Sequence, residues 1–170
     1  MSLRRVLNLG AGTQSSVLAF WCDRGELPPV EVMLFADTGW EPKAVYDHLA
    51  WLEREIKTPI VRVSNGNLRD DYLAGAPYGG KSGGGRRFAS IPLHVLAETP
   101  IDVEGEMLIR TDGVKRTNGI LRRQCTHEYK IVPVNKWIGD NIFARKKFQR
   151  WPTEPVIEKV FGISYDEMDR

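Results

Sequence analysis

The segment that most constrains the fold is a short apolar run leading through a glycine-containing turn into a helical stretch. Val6–Leu9 has the length and apolar character of a buried strand, and residues 15–24 are predicted to form a helix that Gly25 ends. Small residues at 10–12 let backbone N–H groups turn toward an anion, and the helix directs its positive end to the same point. This order of strand, turn and helix predicts a phosphate-binding loop.

The sequence of this turn disfavours two common phosphate-binding loops. The classical dinucleotide fingerprint requires three glycines at fixed spacing, and the Walker A loop requires Gly-Lys followed by Ser or Thr. Residues 10–16 read Gly-Ala-Gly-Thr-Gln-Ser-Ser and contain neither string. Ser15 and Ser16 add hydroxyl donors, which either contact a ligand or simply cap the helix.

The strand and helix pattern is repeated along the next fifty residues. Glu31–Ala36 is predicted as a second buried strand, a second helix follows Pro42, and Ile60–Val63 is predicted as a third strand. The second helix has apolar residues at helical spacing, namely Val45, Leu49, Leu52 and Ile56. Right-handed crossovers between such strands give a parallel, doubly wound sheet in a three-layer α/β/α arrangement, with ligands at the carboxyl ends of the strands.

Composition limits the class of protein. The chain has 170 residues, of which 42% are hydrophobic and 27% charged, so residues 1–170 are expected to form a single domain with its own core. We find no signal peptide before the first strand and no apolar run of membrane-spanning length, which predicts a cytoplasmic protein without a membrane partner. Cys22 and Cys125 lie on different predicted elements, so no disulfide framework is expected.

Charge is distributed unevenly along the chain. The formal net charge is +2, but residues 110–150 contain eleven Lys or Arg and three acidic residues, a local balance of +8. This basic region is either a solvated face or a surface that meets nucleic acid or another polyanionic substrate. The sequence leaves both alternatives open, and it also leaves an oligomer possible.

Residues 75–90 are rich in glycine. The segment holds six glycines together with Lys81, Arg86 and Arg87, a composition that predicts a mobile loop without a packed element. The loop is either an inert insertion or a basic lid that orders over phosphate groups.

Shorter apolar runs give the remaining predicted elements. Ile91–Val95 and Met107–Arg110 are predicted as strands, and Val156–Ile163 as a late strand and turn. Thr126 is predicted to cap a helix that Pro133 kinks or restarts.

Three segments, in order and spacing, resemble the PP-loop ATP pyrophosphatases and the related phosphoadenylylsulfate (PAPS) reductases. Residues 10–15 resemble the Ser-Gly-Gly-x-Asp-Ser loop, and residues 34–42 contain the Asp-Thr-Gly motif. Residues 123–133 resemble the Cys-x-x-x-x-Lys-x-x-Pro segment. The similarity extends over roughly the whole chain, and it is greatest to PAPS-reductase-like proteins carried by bacteriophages. It implies a Rossmann-like domain of the adenine nucleotide alpha hydrolase-like type.

This resemblance implies a nucleotide site and an enzymatic activity. The implied ligands are ATP or a related adenine nucleotide and Mg²⁺, with attack at the α-phosphate and departure of pyrophosphate. The enzyme would be an ATP pyrophosphatase or adenylyltransferase, or a PAPS reductase-like transferase or oxidoreductase, in sulfur transfer or nucleic-acid modification. The phosphates would contact Gly10, Ala11, Gly12, Thr13, Gln14, Ser15 and Ser16.

The other two motifs supply the remaining candidate residues. Asp37 would hold Mg²⁺ or a ribose hydroxyl and act in catalysis, with helix capping as the alternative. Thr38 and Gly39 would contact the nucleotide, and Trp40 would stack on adenine. Two cationic residues, Arg123 and the catalytic candidate Lys130, would bind phosphate or sulfate groups as clamps. The alternative is that they are exposed charges on a helix.

Departures from the family pattern bear on function. Gln14 replaces the acidic residue of the family loop and Gly10 its first serine, which favours a second hypothesis, a non-catalytic nucleotide or nucleic-acid binding module. Similar proteins continue into a lobe with a Cys-x-x-Cys pair, and Ser164–Arg170 begins a helix without a C-terminal cap, so a shortened chain is expected.

Cys125 is a candidate nucleophile or iron–sulfur ligand. Arg122 and Arg123 beside it favour the thiolate, whereas the alternative is a buried, unreactive thiol. An iron–sulfur cluster normally takes four thiolates and the chain has two cysteines, so this chain alone is not expected to bind one.

Overall fold

The computed structural model describes seven ranges of the chain, residues 3–74, 76–78, 85–87, 94–100, 114–120, 126–146 and 149–163. The chain divides into two compact units. Unit 1 comprises Met1–Arg69 and Glu128–Arg170, and unit 2 comprises Asp70–His127. The expectation of one nucleotide-binding domain over residues 1–170 stays a prediction.

The described elements alternate between strand and helix over the first seventy residues. In chain order they are β1 (Arg4–Asn8), α1 (Thr13–Arg24), β2 (Val32–Asp37), α2 (Lys43–Glu55), β3 (Ile60–Ser64), α3 (Leu68–Ala74), β4 (Ala76–Tyr78), β5 (Gly85–Arg87), β6 (His94–Pro100), β7 (Val114–Ile120), a π-helical segment (Thr126–Ile131), α4 (Val132–Asn141) and β8 (Ile157–Phe161). No helix in these ranges combines the length and the apolar character needed to cross a membrane.

Unit 1 is built on a four-stranded sheet with the order β3-β2-β1-β8. All neighbouring strands are parallel, with Val6 opposite Val32, Leu7 opposite Val160 and Leu34 opposite Val61. The predicted parallel α/β sheet is therefore confirmed, and the three early strands lie within two residues of their predicted bounds.

Both faces of this sheet are covered by helices, because successive strand residues point to opposite sides. On one face Leu7 and Met33 pack with Ala19 of α1 and with Leu49 and Leu52 of α2. On the other face Val6, Val32 and Leu34 form a second cluster with two residues of α4, Val134 and Ile138. A strand segment buried on both sides has to be apolar, which is why the buried centres of β1 and β2, Val6–Leu7 and Val32–Phe35, hold only apolar residues.

The helix boundaries follow local signals. Gly25 has φ +78°, and its N–H bonds the carbonyl of Cys22, so α1 ends at the predicted glycine. Pro133 lies in the first turn of α4, where a proline is tolerated, and the helix therefore restarts rather than kinks at this residue. β8 confirms the predicted late strand, and Ser164–Arg170 lies outside the described residues.

Unit 2 contributes two antiparallel strand pairs. β4 pairs with β5 and β6 pairs with β7. β4 and β5 lie within residues 75–90, the predicted mobile loop, and form a short backbone-paired ladder there, whereas the mobility of this loop stays a prediction. The rest of that segment lies outside the described residues, and so does the predicted strand Met107–Arg110.

The carboxylate of Asp23 ties the end of α1 to the segment before β3. Its Oδ1 accepts hydrogen bonds from the backbone N–H of Thr58 at 2.7 Å and from the Thr58 hydroxyl at 2.8 Å. Desolvation opposes ionisation of this group, but these hydrogen bonds, together with Lys57, outweigh it and lower the pKa of Asp23.

We expect Asp23→Asn to destabilise the protein by about 1 kcal/mol at neutral pH. The ionised form gives stability that is complete above the unfolded pKa of about 3.9 and is lost as the pH falls through the lower folded pKa. The difference in stability between the wild type and Asp23→Asn, measured by thermal unfolding at several pH values, should therefore become smaller at acidic pH. Asp47→Asn, in an exposed pair with Lys43, is the control and should change stability by less than about 0.5 kcal/mol. An equal effect of both variants would contradict the prediction.

Candidate anion-binding site

The turn between β1 and α1 has its unusual backbone conformation at Ala11, not at its glycines. Ala11 has φ +53° and is buried, whereas Gly12 is extended, with φ −92° and ψ 173°. A left-handed alanine costs on the order of 1 kcal/mol, which the surrounding packing must offset. A Cβ on Gly12 would meet nothing within 4 Å, so this glycine faces open space.

Helix α1 begins without a capping side chain. Gly12 is its N-cap residue and provides no side-chain acceptor, and the first turn contains no acidic residue. The first helical hydrogen bond runs from the Ser16 N–H to the Gly12 carbonyl at 3.0 Å. The N–H groups of residues 13–15 precede it, so they have no acceptor within the helix. The positive end of α1 is therefore not neutralised by its own first turn.

The side-chain hydroxyls of the two serines in the first turn form hydrogen bonds to the preceding backbone. The Ser15 and Ser16 hydroxyls lie 3.1 and 2.8 Å from the Gly12 carbonyl oxygen, to which they donate. Both serines are buried, whereas Gly12, Thr13 and Gln14 are exposed. Among the predicted loop residues, these three present the free end of the helix to solvent.

His48 of α2 lies beside this turn and was not identified from the sequence. Its Nε2 is 2.9 Å from Ser16 Oγ, and its ring stacks on Trp51 with centroids 5.4 Å apart. A pocket of about 440 Å³ adjoins these side chains, and its lining consists of Ala11, Gly12, Thr13, Ser16, Val17, Phe20 and His48. The available signal was a histidine on the apolar face of α2, three residues after Val45.

The chain leaving β8 packs against the start of α1. A Cβ on Gly162 would lie 2.6 Å from the Ser15 nitrogen and 2.8 Å from its Cα, closer than real contacts allow. Gly162 therefore has no room for a side chain. It fixes the position of the α1 N-terminus from the β8 side of the sheet.

Asp37, the predicted catalytic and metal-binding residue, holds the turn that follows β2. Its Oδ1 accepts hydrogen bonds from the Gly39 N–H and from the Tyr46 hydroxyl, both at 2.8 Å. Burial, and then the bond to Asp37, raise the pKa of Tyr46, which keeps this hydroxyl protonated as the donor. One carboxylate oxygen of Asp37 is thus engaged in organising the turn.

Thr38 and Lys130 meet at a residue that the sequence analysis missed, Glu41. The buried Thr38 hydroxyl donates to Glu41 Oε1 at 3.1 Å, and Lys130 Nζ lies 3.5 Å from the same oxygen. No sequence pattern singled out Glu41, because it precedes α2, which begins at Lys43 with Pro42 as its N-cap residue. Lys130 is half-exposed and paired with Glu41, and its role as a phosphate or sulfate clamp stays a prediction.

Three further predicted residues are Trp40, Arg123 and Cys125. Trp40 is 43% exposed after β2, and Arg123 and Cys125 lie outside the described residues. Within the described ranges, no three His, Cys, Asp or Glu side chains converge in a way that could hold a metal ion. The buried Asn8 Oδ1, at the end of β1, has no hydrogen-bond partner among these residues.

Gly39→Ala is expected to destabilise the protein by about 1–3 kcal/mol. Gly39 has φ +71°, and an added Cβ would lie 2.8 Å from the Asn67 side chain, so the variant combines backbone strain with a clash. Gly10→Ala is the control, because its Cβ would make an ordinary 3.7 Å contact with Ser15 Oγ. Denaturant unfolding of both variants checks this, and equal stabilities would contradict the role of Gly39.

Comparisons with known proteins yield no relative for this chain. No family model matches it, and neither a curated protein nor a solved structure does so.

Proposed function

We propose that the chain binds ATP or a related adenine nucleotide with its phosphates at the N-terminus of α1, as a PP-loop domain of the PAPS-reductase-like, adenine nucleotide alpha hydrolase-like type. The observation that carries the proposal is the uncapped start of this helix. The N–H groups of residues 13–15 have no helical acceptor, Gly12 faces open space, and the first turn has no acidic side chain. A phosphate oxygen would supply the missing acceptors and complement the helix dipole.

The position of this helix in the sheet supports the same ligand. β1 lies between β2 and β8, and the chain passes from β1 through α1 to β2 on one side. In open α/β sheets, ligands bind outside the carboxyl ends of the strands where the strand order reverses. The turn after β1 and the turn at Asp37 both follow such ends of neighbouring strands. A nucleotide with phosphates at α1 would thus extend along this edge of the sheet.

The proposed reaction is attack at the α-phosphate. An acceptor oxygen forms a bond to the α-phosphorus, the bond from that phosphorus to the bridging oxygen breaks, and pyrophosphate departs with the electron pair. Positioning and electrostatic stabilisation of the departing charge are what such a site has to supply. The acceptor would belong to sulfur transfer or nucleic-acid modification, the latter engaging the basic region 110–150.

Magnesium enters this proposal only as an ion carried by the nucleotide phosphates. Asp37 is the one predicted metal ligand, and its Oδ1 is already engaged by Gly39 and Tyr46. Mg²⁺ commonly keeps several waters and binds through one or two carboxylates together with substrate phosphates. Because no three His, Cys, Asp or Glu side chains converge among the described residues, a magnesium ion at Asp37 would be held mainly by the nucleotide phosphates and water.

A second function, nucleotide or nucleic-acid binding without turnover, is favoured by a specific observation. Two of the predicted catalytic residues are engaged within the protein, Asp37 with Tyr46 and Lys130 with Glu41. Gln14 also lacks the charge of the acidic residue that it replaces. These contacts leave the anion-binding end of α1 intact, so binding can persist where catalysis does not.

Calorimetric titration with ATP and with adenosine tests binding, and pyrophosphate release tests turnover. ATP should bind about tenfold or more tightly than adenosine, because the phosphates contact the helix. Equal affinity for the two ligands would contradict the proposed placement of the phosphates. Release of pyrophosphate, with candidate acceptors present, supports the enzyme, whereas ATP binding without release supports the binding module.

A further inference from the structure

A second pocket lies between α4 and β8, away from the turn that precedes α1. Its volume is about 490 Å³, within the usual size of small-molecule sites. Its apolar lining includes Ile138 and Ile157, which belong to the core cluster on the α4 face of the sheet, together with the aromatic residues Phe143 and Trp151. The polar lining consists of Asn135 and Lys159. We call it the Lys159 pocket.

Lys159 is an unusual residue for its position in the sheet. It stands opposite Val6 in the register of β1 and β8, and Val6 belongs to the core cluster on that face. Its ammonium donates to Asn135 Oδ1, which is a neutral acceptor. Partial burial lowers the pKa of Lys159, although the residue as a whole is exposed. Among the described residues no carboxylate offsets this charge, and the pocket thus has an unneutralised cation beside apolar walls.

The aromatic wall is held in place by its neighbours. The Phe143 and Trp151 rings meet edge to face, with centroids 5.7 Å apart and planes at 89°. The Arg145 guanidinium carbon lies 4.6 Å from the Trp151 ring centroid, and its Nη1 donates to the Gln149 carbonyl. Trp151 nevertheless remains 43% exposed, so the ring keeps apolar surface available.

We infer that the Lys159 pocket binds a small amphipathic anion, an aryl or alkyl carboxylate whose carboxylate pairs with the Lys159 ammonium and whose apolar body packs on Trp151 and Phe143. Charge complementarity selects the carboxylate, because a partly desolvated ammonium gains most from an ionised acceptor. The apolar lining selects the body of the ligand. This inference does not depend on the nucleotide site, since the two pockets share no lining residue.

An alternative explanation requires no ligand. β8 is an edge strand among the described strands, and a lysine on an edge strand discourages pairing with other chains. In that case Lys159 would protect the edge and the pocket would bind nothing.

The test uses 2-naphthoate and its uncharged analogue 2-naphthalenemethanol as probes, with affinities measured by calorimetry on the full chain. Naphthoate should bind the wild-type protein and bind Lys159→Met about tenfold or more weakly. The alcohol should bind both proteins equally. Lys136→Met removes an exposed lysine of α4 that does not line the pocket, and should bind naphthoate like the wild type.

Two results would overturn the inference. One is the absence of naphthoate binding to the folded wild-type protein, which is the result that edge protection alone predicts. The other is equal naphthoate affinity of Lys159→Met and the wild type. The indole N–H resonance of Trp151, assigned with Trp151→Phe, gives a second measurement, because it should shift when naphthoate is added and stay fixed if the probe binds elsewhere.

Discussion

Replacing Gly12 by valine is expected to lower the affinity for ATP by about tenfold or more, or about 1.4 kcal/mol, while the protein stays folded. The Gly12 Cβ position is open, so the new side chain would occupy the space through which a phosphate approaches the α1 N–H groups. The backbone at this residue is extended, with φ −92° and ψ 173°, a conformation that valine readily adopts. Binding and folding are therefore separable at this position.

The series Gly12→Ala and Gly12→Val provides the control for size. The ATP affinity measured by calorimetry should fall from the wild type to Gly12→Ala and further to Gly12→Val. The thermal stability of both variants should stay within about 1 kcal/mol of the wild type, because the less favourable N-cap residue is offset by the lower conformational entropy of the unfolded chain. Unchanged ATP affinity in folded Gly12→Val would show that the phosphates bind elsewhere.

Gly162→Ala is expected to have the largest effect on stability, a loss of about 3 kcal/mol. Its Cβ would lie within 2.9 Å of three backbone atoms of Gln14 and Ser15, none of which can rotate aside as a side chain does. Either β8 or the start of α1 has to move. The variant should also bind ATP more weakly, because the moved helix start is the proposed phosphate site.

Gly139→Ala is the matched control. Its Cβ would also meet close neighbours, at 3.3 Å from Arg145 Nε and 3.5 Å from Trp151, but these atoms belong to side chains. The position is inside α4, where alanine is favoured over glycine, so the expected change is much smaller than that of Gly162→Ala. Denaturant unfolding compares the two variants, and a Gly162→Ala protein as stable as Gly139→Ala would contradict the close packing at the α1 N-terminus.

The layout of the sheet could be predicted because its signals are local. An apolar run such as Val6–Leu9 is long enough for a strand buried on both faces, and the spacing of Leu49, Leu52 and Ile56 allows one buried helical face. Gly25 ends α1 through a left-handed conformation that glycine adopts without strain. Each of these features depends on residues that are close together in the sequence.

The details of the candidate site could not be predicted because they depend on distant residues. Gly162 meets Ser15 from the other end of the chain, and His48 reaches Ser16 from α2. The positive φ of this turn lies at the buried Ala11. No feature of the neighbouring sequence indicates that this alanine, unlike others, has a positive φ.

The roles predicted for Asp37 and Lys130 came from the motif resemblance, and the motifs alone did not indicate their partners. Tyr46 and Glu41 come from the turn and helix that follow β2, so their contacts depend on how that segment folds back. Catalysis by Asp37, Lys130 or Cys125 stays a prediction. For such a role, the hydrogen bonds that Asp37 accepts and the ion pair of Lys130 with Glu41 would have to rearrange when substrate binds.

The central claim is that the N–H groups at the start of α1, which have no acceptor within the helix, bind phosphate oxygens. The most direct measurement is a titration of the ¹⁵N-labelled protein with inorganic pyrophosphate, followed through the amide resonances. The account predicts saturable shifts centred on the amides of residues 12–15, and their loss in Gly12→Val. Shifts confined to other residues, with these amides unchanged at saturating pyrophosphate, would contradict it.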